Sequence, residues 1–155
     1  MRIISTLVYS AALILFTSNY RVTAQIEVDN SLPVNSNALK SGINFKIDGG
    51  TVRGNNLFHS FKRFNILNGG EAFFDNADSV ENIFTRVTGN SISNIDGMLK
   101  TNGSANLFLM NPNGIIFGKN SRLDIGGSFI STTADNINFA DGTSFNSLNL
   151  QEKPL

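Results

Sequence analysis

Apolar and polar residues alternate over short stretches through most of the chain after residue 24. The clearest alternations occur in five segments, Ile43-Phe45-Ile47, Leu107-Leu109, Ile115-Phe117, Leu123-Ile125 and Ile137-Phe139. Clusters of Gly and Asn, such as Asn68-Gly69-Gly70, separate these segments. Alternation is typical of half-buried β-strands and Gly/Asn clusters are typical of turns, whereas a helical period of 3.6 residues is nearly absent. The pattern therefore predicts an all-β chain, and a sandwich, a barrel and a β-solenoid all remain compatible with it.

A degenerate repeat of 22 residues favours one of these architectures. A shift of 22 residues aligns two mostly apolar columns, which are Phe73, Ile95, Phe117 and Phe139, and, two positions earlier, Ser93, Ile115 and Ile137. The same shift aligns Ile83-Thr85-Val87 with Ala105-Leu107-Leu109 and with Gly127-Phe129-Ser131. Short repeats that cannot bury an apolar face alone form the coils of a solenoid. We therefore expect a parallel β-helix of about six coils, with a Greek-key sandwich as the alternative.

The first 24 residues have the layout of a secretory signal peptide. Met1-Arg2 forms a short basic start, residues 3–16 form a mostly apolar run, and Val22-Thr23-Ala24 precedes Gln25. A membrane span needs about 20 apolar residues, and the polar segment that begins at residue 17 makes this run too short. Small residues at the first and third positions of the tripeptide predict cleavage between Ala24 and Gln25. We expect an exported protein that passes through the periplasm and has no stable membrane insertion.

Composition and charge exclude several classes of function. The chain has 12 basic and 12 acidic residues, and removal of Arg2 and Arg21 leaves a mature net charge of about −2. This balance argues against a nucleic-acid partner, which would need a basic surface. There is no Cys and only one His, His59, so thiolate and multi-imidazole metal sites are excluded. We predict no metal and no cofactor.

Three segments carry a resemblance to a known family. They are Asn56-Leu57-Phe58-His59-Ser60-Phe61 with Phe64-Asn65-Ile66, Val80-Glu81-Asn82-Ile83-Phe84-Thr85-Arg86-Val87-Thr88-Gly89, and Ala105-Asn106-Leu107-Phe108-Leu109-Met110-Asn111-Pro112-Asn113-Gly114-Ile115-Ile116-Phe117-Gly118. Together they resemble the filamentous-haemagglutinin N-terminal domain, also called the two-partner secretion or haemagglutination activity domain, in its cyanobacterial version. The resemblance runs from about residue 25 to residue 142. It divides the chain into a signal peptide (1–24), a secretion domain that is incomplete at its C-terminal end (25–142) and a tail (143–155).

The resemblance implies a fold, a partner and a location. The fold is a right-handed parallel β-helix of the pectin-lyase-like type with N-terminal capping strands. The partner is an outer-membrane β-barrel transporter whose periplasmic domains recognise this segment, after which the domain nucleates β-helix folding outside the cell. The implied location is therefore secreted or at the cell surface. Two alternatives stay open: a surface adhesin that binds glycans or a cell-surface receptor, and, more remotely, a polysaccharide-acting enzyme on a β-helix.

Two candidate sites follow from these segments, and neither is catalytic. Asn111, Pro112, Asn113 and Gly114 have the composition of a tight turn, and the resemblance adds the second reading that a transporter recognises them. Val80, Asn82 and Ile83 form the second family segment. His59 lies among Phe residues without a nucleophile motif beside it, so we interpret it as a packed residue. The acidic residues mostly flank turns, and we predict no active site and no enzymatic activity.

The C-terminal end of the predicted solenoid has little to cover it. We expect Phe129, Ile137 and Phe139 to point into the last coil and Phe145, Leu148 and Leu150 to fold back as a lid. A final coil without a neighbour exposes apolar surface and strand edges. The sequence therefore predicts fraying beyond about Gly142 and association through this end.

Overall fold

The computed structural model describes residues 25–150, and within that range every regular element is a β-strand. The strands are β1 (Ile26–Val28), β2 (Ser36–Ser41), β3 (Asn44–Gly49), β4 (Thr51–Arg53), β5 (Asn56–Phe64), β6 (Glu71–Phe74), β7 (Asn82–Val87), β8 (Ser93–Ile95), β9 (Met98–Thr101), β10 (Asn106–Met110), β11 (Ile115–Phe117), β12 (Arg122–Asp124), β13 (Phe129–Thr132), β14 (Asn136–Asn138) and β15 (Ser144–Asn146). The all-β prediction is therefore confirmed. The predicted signal peptide (1–24) and the end of the tail (151–155) lie outside the described residues.

Parallel strands from successive turns of the chain stack into three sheets. The first sheet, here called the front sheet, contains β5, β7, β10 and β13, and the second, the back sheet, contains β3, β6, β9 and β12. The third is short and contains β8 and β11, which Ile66 extends by a bridge to Ile95. The chain visits the three sheets in the same order in each turn. This is a β-solenoid of about four turns, so the predicted parallel β-helix is confirmed and the expected six coils are too many.

The observed register corrects the 22-residue alignment. Front-sheet asparagine contacts recur at separations of 26, 24 and 22 residues, so the coils shorten along the chain. Ile95 does pair with Phe117, but Phe73 pairs with Lys100. Ile83 pairs with Leu107 rather than with Ala105. The coils differ in length because residues are inserted in the turns, and a constant shift cannot follow such insertions.

The interior of the solenoid consists of columns of apolar side chains from successive strands. One column runs from Leu57 through Ile83 and Leu107 to Phe129, and another runs from Ala72 through Leu99 to Leu123. Both columns are buried in their middle members. Because side chains alternate across a strand, the residues between these positions point out of the coil.

Antiparallel strands close the N-terminal end of the solenoid. β1 and β4 pair with β5 of the front sheet, and β2 pairs with β3 of the back sheet. Ile26 of β1 and Phe45 of β3 join the core and are each 5% exposed. The described residues therefore include N-terminal capping strands, as the family resemblance implies.

The C-terminal residues form a hairpin outside the front sheet. β14 and β15 pair antiparallel, with Ile137 opposite Phe145. Phe145 is fully buried in a second apolar cluster on the outer side of the front sheet, where Ile137 and Phe139 also pack. The prediction that Ile137 and Phe139 point into the last coil is therefore wrong, and Phe145 does not act as a lid over that coil. The outer face of the front sheet carries stacked aromatic rings, so covering it buries more apolar surface than an interior position would.

Candidate recognition site at the Asn111–Gly114 turn

Residues 111–114 form a hydrogen-bonded turn between β10 and β11. The Gly114 amide donates to the carbonyl oxygen of Asn111 at 3.0 Å, which is the bond that closes a four-residue β-turn. Pro112 occupies the second position, where its ring restricts φ to the value that the turn requires. Gly114 has a φ of 117°, a conformation that side chains rarely adopt. The turn predicted from these four residues is present, and each residue type fits its place in it.

The Asn111 side chain is buried and ties the turn to the preceding coil. Its Nδ2 donates to Ser93 Oγ at 2.9 Å and to the carbonyl oxygen of Ser91 at 3.1 Å. Its Oδ1 accepts a hydrogen bond from the Asn113 amide at 3.0 Å. Its backbone amide donates to the carbonyl oxygen of Thr132 in the next coil. Asn111 is fully buried, so this amide holds three coils in register and is not accessible to a partner of the folded domain.

Asn113 is the exposed member of the pair. Its Nδ2 donates to the carbonyl oxygen of Gly89 at 2.7 Å, while the residue as a whole is solvent-exposed. Gly89 itself packs so closely on the backbone of Lys62 that a Cβ atom there would overlap with the Lys62 carbonyl oxygen. The turn therefore rests on a tightly packed loop of the preceding coil. In the folded domain it presents the amide of Asn113 and the ring of Pro112 to a partner.

The second family segment lies in the interior and in an asparagine ladder. Val80 and Ile83 are buried in the core. Asn82 Nδ2 donates to Asn56 Oδ1, and Asn82 Oδ1 accepts from Asn106 Nδ2, both at 3.0 Å. The ladder continues when Asn106 Oδ1 accepts the Ser128 amide at 2.7 Å. Stacked amides of this kind satisfy each other along the axis and hold successive coils in register.

The structure does not bring the two predicted segments together. Asn82 pairs with Asn106 at the start of the front-sheet strands, whereas the turn follows the end of β10. Five residues separate Asn106 from Asn111, a distance of about 17 Å along an extended strand. A single small ligand could not contact both, but an extended protein partner could.

The predicted cleavage site has only one side among the described residues. Ala24 lies outside them, and Gln25 is the first residue described. The Gln25 carbonyl oxygen accepts a hydrogen bond from the Asn65 amide at 2.6 Å, directly before β1 begins. Cleavage after Ala24 would therefore leave a chain whose first residue already belongs to the N-terminal cap. The cleavage site itself remains a prediction.

A buried arginine that sequence reasoning missed joins both ends of the described chain. Arg86 is fully buried on the outer side of β7. Its Nε donates to Ser60 Oγ at 2.8 Å, its Nη2 to Ser31 Oγ at 2.9 Å and its Nη1 to the carbonyl oxygen of Asn146. The guanidinium also lies over the ring of Phe145, 4.7 Å from its centroid. We call this set the arginine clasp: Arg86, Asp29, Ser31, Ser60, Thr88, Phe145 and Asn146.

Asp29 supplies the negative charge of the arginine clasp. Burial alone would raise the pKa of this carboxyl group, but hydrogen bonds from Ser60, Thr88 and Ser31 outweigh it, so the pKa is lowered. Burial lowers the pKa of the Arg86 guanidinium, and the charge of Asp29 opposes that shift. An arginine nevertheless keeps its proton in proteins. The alternation of Phe84 and Arg86 on the outer face of β7 was the available signal, but only the hairpin shows that this face is covered.

His59 is an interior residue of the first coil. It is 1% exposed, its Nδ1 lies 2.9 Å from Ser36 Oγ, and its ring packs beside Phe61 and Phe74. Burial lowers the pKa of His59 to about 3, with a small opposing contribution from Asp48. The imidazole is therefore neutral at physiological pH. This placement agrees with the interpretation of His59 as a packed residue.

Within residues 25–150, the acidic residues and His59 form no cluster of three or more that could hold a metal ion. Asp75, one of the clustered acids of the sequence, pairs with Lys46 at 2.7 Å. The described part of the chain also contains no helix long and apolar enough to cross a membrane.

Comparison with known families places the fold and the turn in context. A family model described as TPS secretion domain matches residues 24–154. No curated protein matches the chain. The family consists of secretion modules rather than enzymes, and membership implies a secreted or cell-surface protein that works with an outer-membrane transporter. Since the match covers nearly the whole described solenoid, the chain belongs to the family of two-partner secretion domains, the N-terminal domains of filamentous-haemagglutinin-like proteins.

Proposed function

We propose that this chain is the recognition module through which a filamentous-haemagglutinin-like exoprotein engages the periplasmic domains of a dedicated outer-membrane β-barrel transporter. The observation that carries the proposal is the family match over residues 24–154. The module acts by binding alone and has no catalytic step. A cleaved signal peptide ending at Ala24 delivers it to the periplasm.

The Asn111–Gly114 turn contributes to recognition in two states of the chain. In the unfolded chain, all four residues are accessible to a transporter domain that binds an extended segment, for example by strand addition. In the folded domain, only Pro112 and Asn113 offer exposed surface, because Asn111 is fully buried. Folding therefore withdraws Asn111 from the transporter, and this withdrawal favours release of the emerged domain.

Folding outside the cell begins in the middle coils. The Asn111 amide bonds to Ser91 and Ser93 of the coil before it, and Asn82 bonds to Asn56 and Asn106 on either side. Each of these contacts forms only when two neighbouring coils are stacked. Val80, Asn82 and Ile83 thus serve nucleation rather than direct recognition. Each stacked coil then opposes return of the chain through the pore.

Export measurements with matched asparagine variants test the role of the turn. The chain is co-expressed with its transporter, and exported protein is quantified for Asn111→Ala, Asn113→Ala and the control Asn138→Ala, an exposed asparagine of the outer hairpin. We expect Asn113→Ala to reduce export while the denaturation midpoint of the purified domain changes little. Asn111→Ala should reduce both export and stability, because it leaves buried partners of the amide without hydrogen bonds.

Two results would contradict this account. Normal export of both Asn111→Ala and Asn113→Ala would remove the turn from recognition. Export that continues after deletion of every outer-membrane transporter of this type would remove the recognition module itself.

A groove beside the third sheet favours direct glycan binding as a second function. The groove has a volume of about 490 Å³, and its lining includes the amides of Asn65, Asn68 and Asn94, with Arg63 and Asp96 at hand. Amide and charged side chains in an open groove are suited to sugar hydroxyl groups. Glycan arrays probed with the exported protein and with Asn94→Ala test this. Binding that depends on Asn94 would support the adhesin, and an array without signal would reject it.

A further inference from the structure

The interior of the solenoid is open at its C-terminal end. Leu99 is fully buried, whereas Leu123, its neighbour in the same column, is 52% exposed. In the third sheet, Ile95 is fully buried and its neighbour Phe117 is 41% exposed. Phe117, Leu123 and Phe129 line a cavity of about 310 Å³ at this end, together with Ser121 and Arg122. These side chains occupy interior positions of the fold, yet no described residue covers them.

The strand edges at this end are free as well. Within residues 25–150, β11 pairs only with β8, β12 only with β9 and β13 only with β10. The β14–β15 hairpin packs outside the front sheet and leaves these edges without partners. An open set of edges around an apolar core can accept further strands. The occupant must therefore supply three strands and an apolar centre together.

The charge pattern of β12 points to an identical strand as the partner. β12 reads Arg122-Leu123-Asp124, and both charged side chains are exposed. If two copies of β12 pair antiparallel about Leu123, Arg122 of each copy lies opposite Asp124 of the other. Directly opposed side chains on one face of an antiparallel pair interact, and opposite charges there are favourable. An unrelated strand has no reason to carry this reciprocal pattern.

The same two-fold axis satisfies the rest of the open end. A rotation that maps the back sheet onto itself exchanges the other two sides of the three-sided coil. It therefore places β13 beside β11 of the second copy and brings the two exposed apolar centres into contact. We propose that this chain associates end to end as a two-fold symmetric dimer through β11, β12 and β13. The interface is isologous, so it closes at two copies and does not propagate into filaments.

Sedimentation velocity on the exported chain over a wide concentration range tests the proposal. We expect a monomer–dimer equilibrium without larger species. Leu123→Asp should abolish the dimer, because it places two like charges together on the two-fold axis. Asp124→Arg should weaken the dimer about tenfold, and the charge-swapped double variant Arg122→Asp/Asp124→Arg should restore it.

Two controls separate the interface from effects within one copy. Lys100→Ala removes the ion pair that Asp124 makes within its own chain, at 3.1 Å, and should leave the dimer intact. Circular dichroism should show an unchanged strand signal for every variant. A folded protein that stays monomeric at all concentrations would overturn the proposal. So would a dimer that survives Leu123→Asp, a double variant that fails to restore it, or open-ended polymers.

Discussion

The two ends of this solenoid solve the same problem with opposite results. At the N-terminal end, β1, β2 and β4 run antiparallel to the strands they cover, and the core residues beneath them are almost fully buried. At the C-terminal end, the last turn of β-strands has free edges among the described residues, and Leu123 and Phe117 are about half exposed. The apolar columns are the same at both ends, so the difference lies in what pairs with the terminal strands.

The contrast shows that reversal of chain direction ends a stack of coils. A parallel coil always leaves its outer edge ready for the next coil, whereas an antiparallel strand covers the edge without adding another turn. The caps β1 and β4 are only three residues long, which limits their own free edges. The C-terminal residues also form antiparallel strands, but they cover the outer face of the front sheet instead of the end. The molecule thus has one finished end and one unfinished end.

The largest expected effect concerns the arginine clasp, which binds the finished end to the outer hairpin. Arg86→Met should lower the free energy of unfolding by about 3–5 kcal/mol, because it removes one member of a buried charged network. The matched variant Arg122→Met, at the exposed end, should change it by less than about 0.5 kcal/mol. Urea denaturation of both variants measures the difference. Equal effects would show that the clasp does not stabilise the fold.

Truncation within one column sharpens the comparison further. Leu99→Ala should cost about 2–5 kcal/mol, because Leu99 is fully buried and the cavity would remain. Leu123→Ala, one coil later, should cost about 1 kcal/mol or less in the monomer, since half of its surface is already exposed. Denaturation at low protein concentration keeps association from masking the result. A large loss at Leu123 would mean that the end is covered in solution.

Acid should destabilise the finished end through His59. Its pKa is about 3 in the folded domain and about 6.5 in the unfolded chain, so below pH 6.5 only the unfolded state takes up the proton. Stability should therefore fall with decreasing pH, by about 2 kcal/mol between pH 6.5 and pH 5. His59→Phe should flatten this part of the profile. Hydrogen exchange at pH 5 should show the loss first in β2 and β5; an unchanged slope in His59→Phe would refute the assignment.

The smallest expected effect compares two hydroxyl groups in one column. Thr85 is buried in the middle of the front sheet, and its Oγ1 has no hydrogen-bond partner among the described residues. Thr85→Val should therefore stabilise the domain by about 1 kcal/mol. Ser131 occupies the same column at the open end and is exposed, so Ser131→Val should have almost no effect. Thermal unfolding measures both, and a destabilised Thr85→Val would reveal a partner for the hydroxyl group.

Much of the solenoid can be predicted from local patterns. Alternation in segments such as Leu107-Leu109 identifies strands, and the coil repeat identifies their stacking, because each coil must place apolar side chains at equivalent positions. The turn at Asn111–Gly114 follows from its residue types alone. Ile95 and Phe117 were aligned correctly because that coil has the expected length, whereas Ile83 was paired wrongly because its coil is two residues longer.

What the sequence by itself determined is the β-architecture, the turn and the apolar interior, since these depend on residue type and spacing over a few positions. Only the tertiary structure decided that Asn111 is buried while Asn113 is exposed, that Arg86 holds Ser31 and Asn146, and that Phe145 packs outside the front sheet. Each of these contacts joins residues far apart in the chain. An apolar residue such as Phe139 suits the interior and the outer face equally well in sequence. The packing of the hairpin against the stacked rings of Phe58 and Phe84 makes the choice, because that surface exists only after the coils have formed.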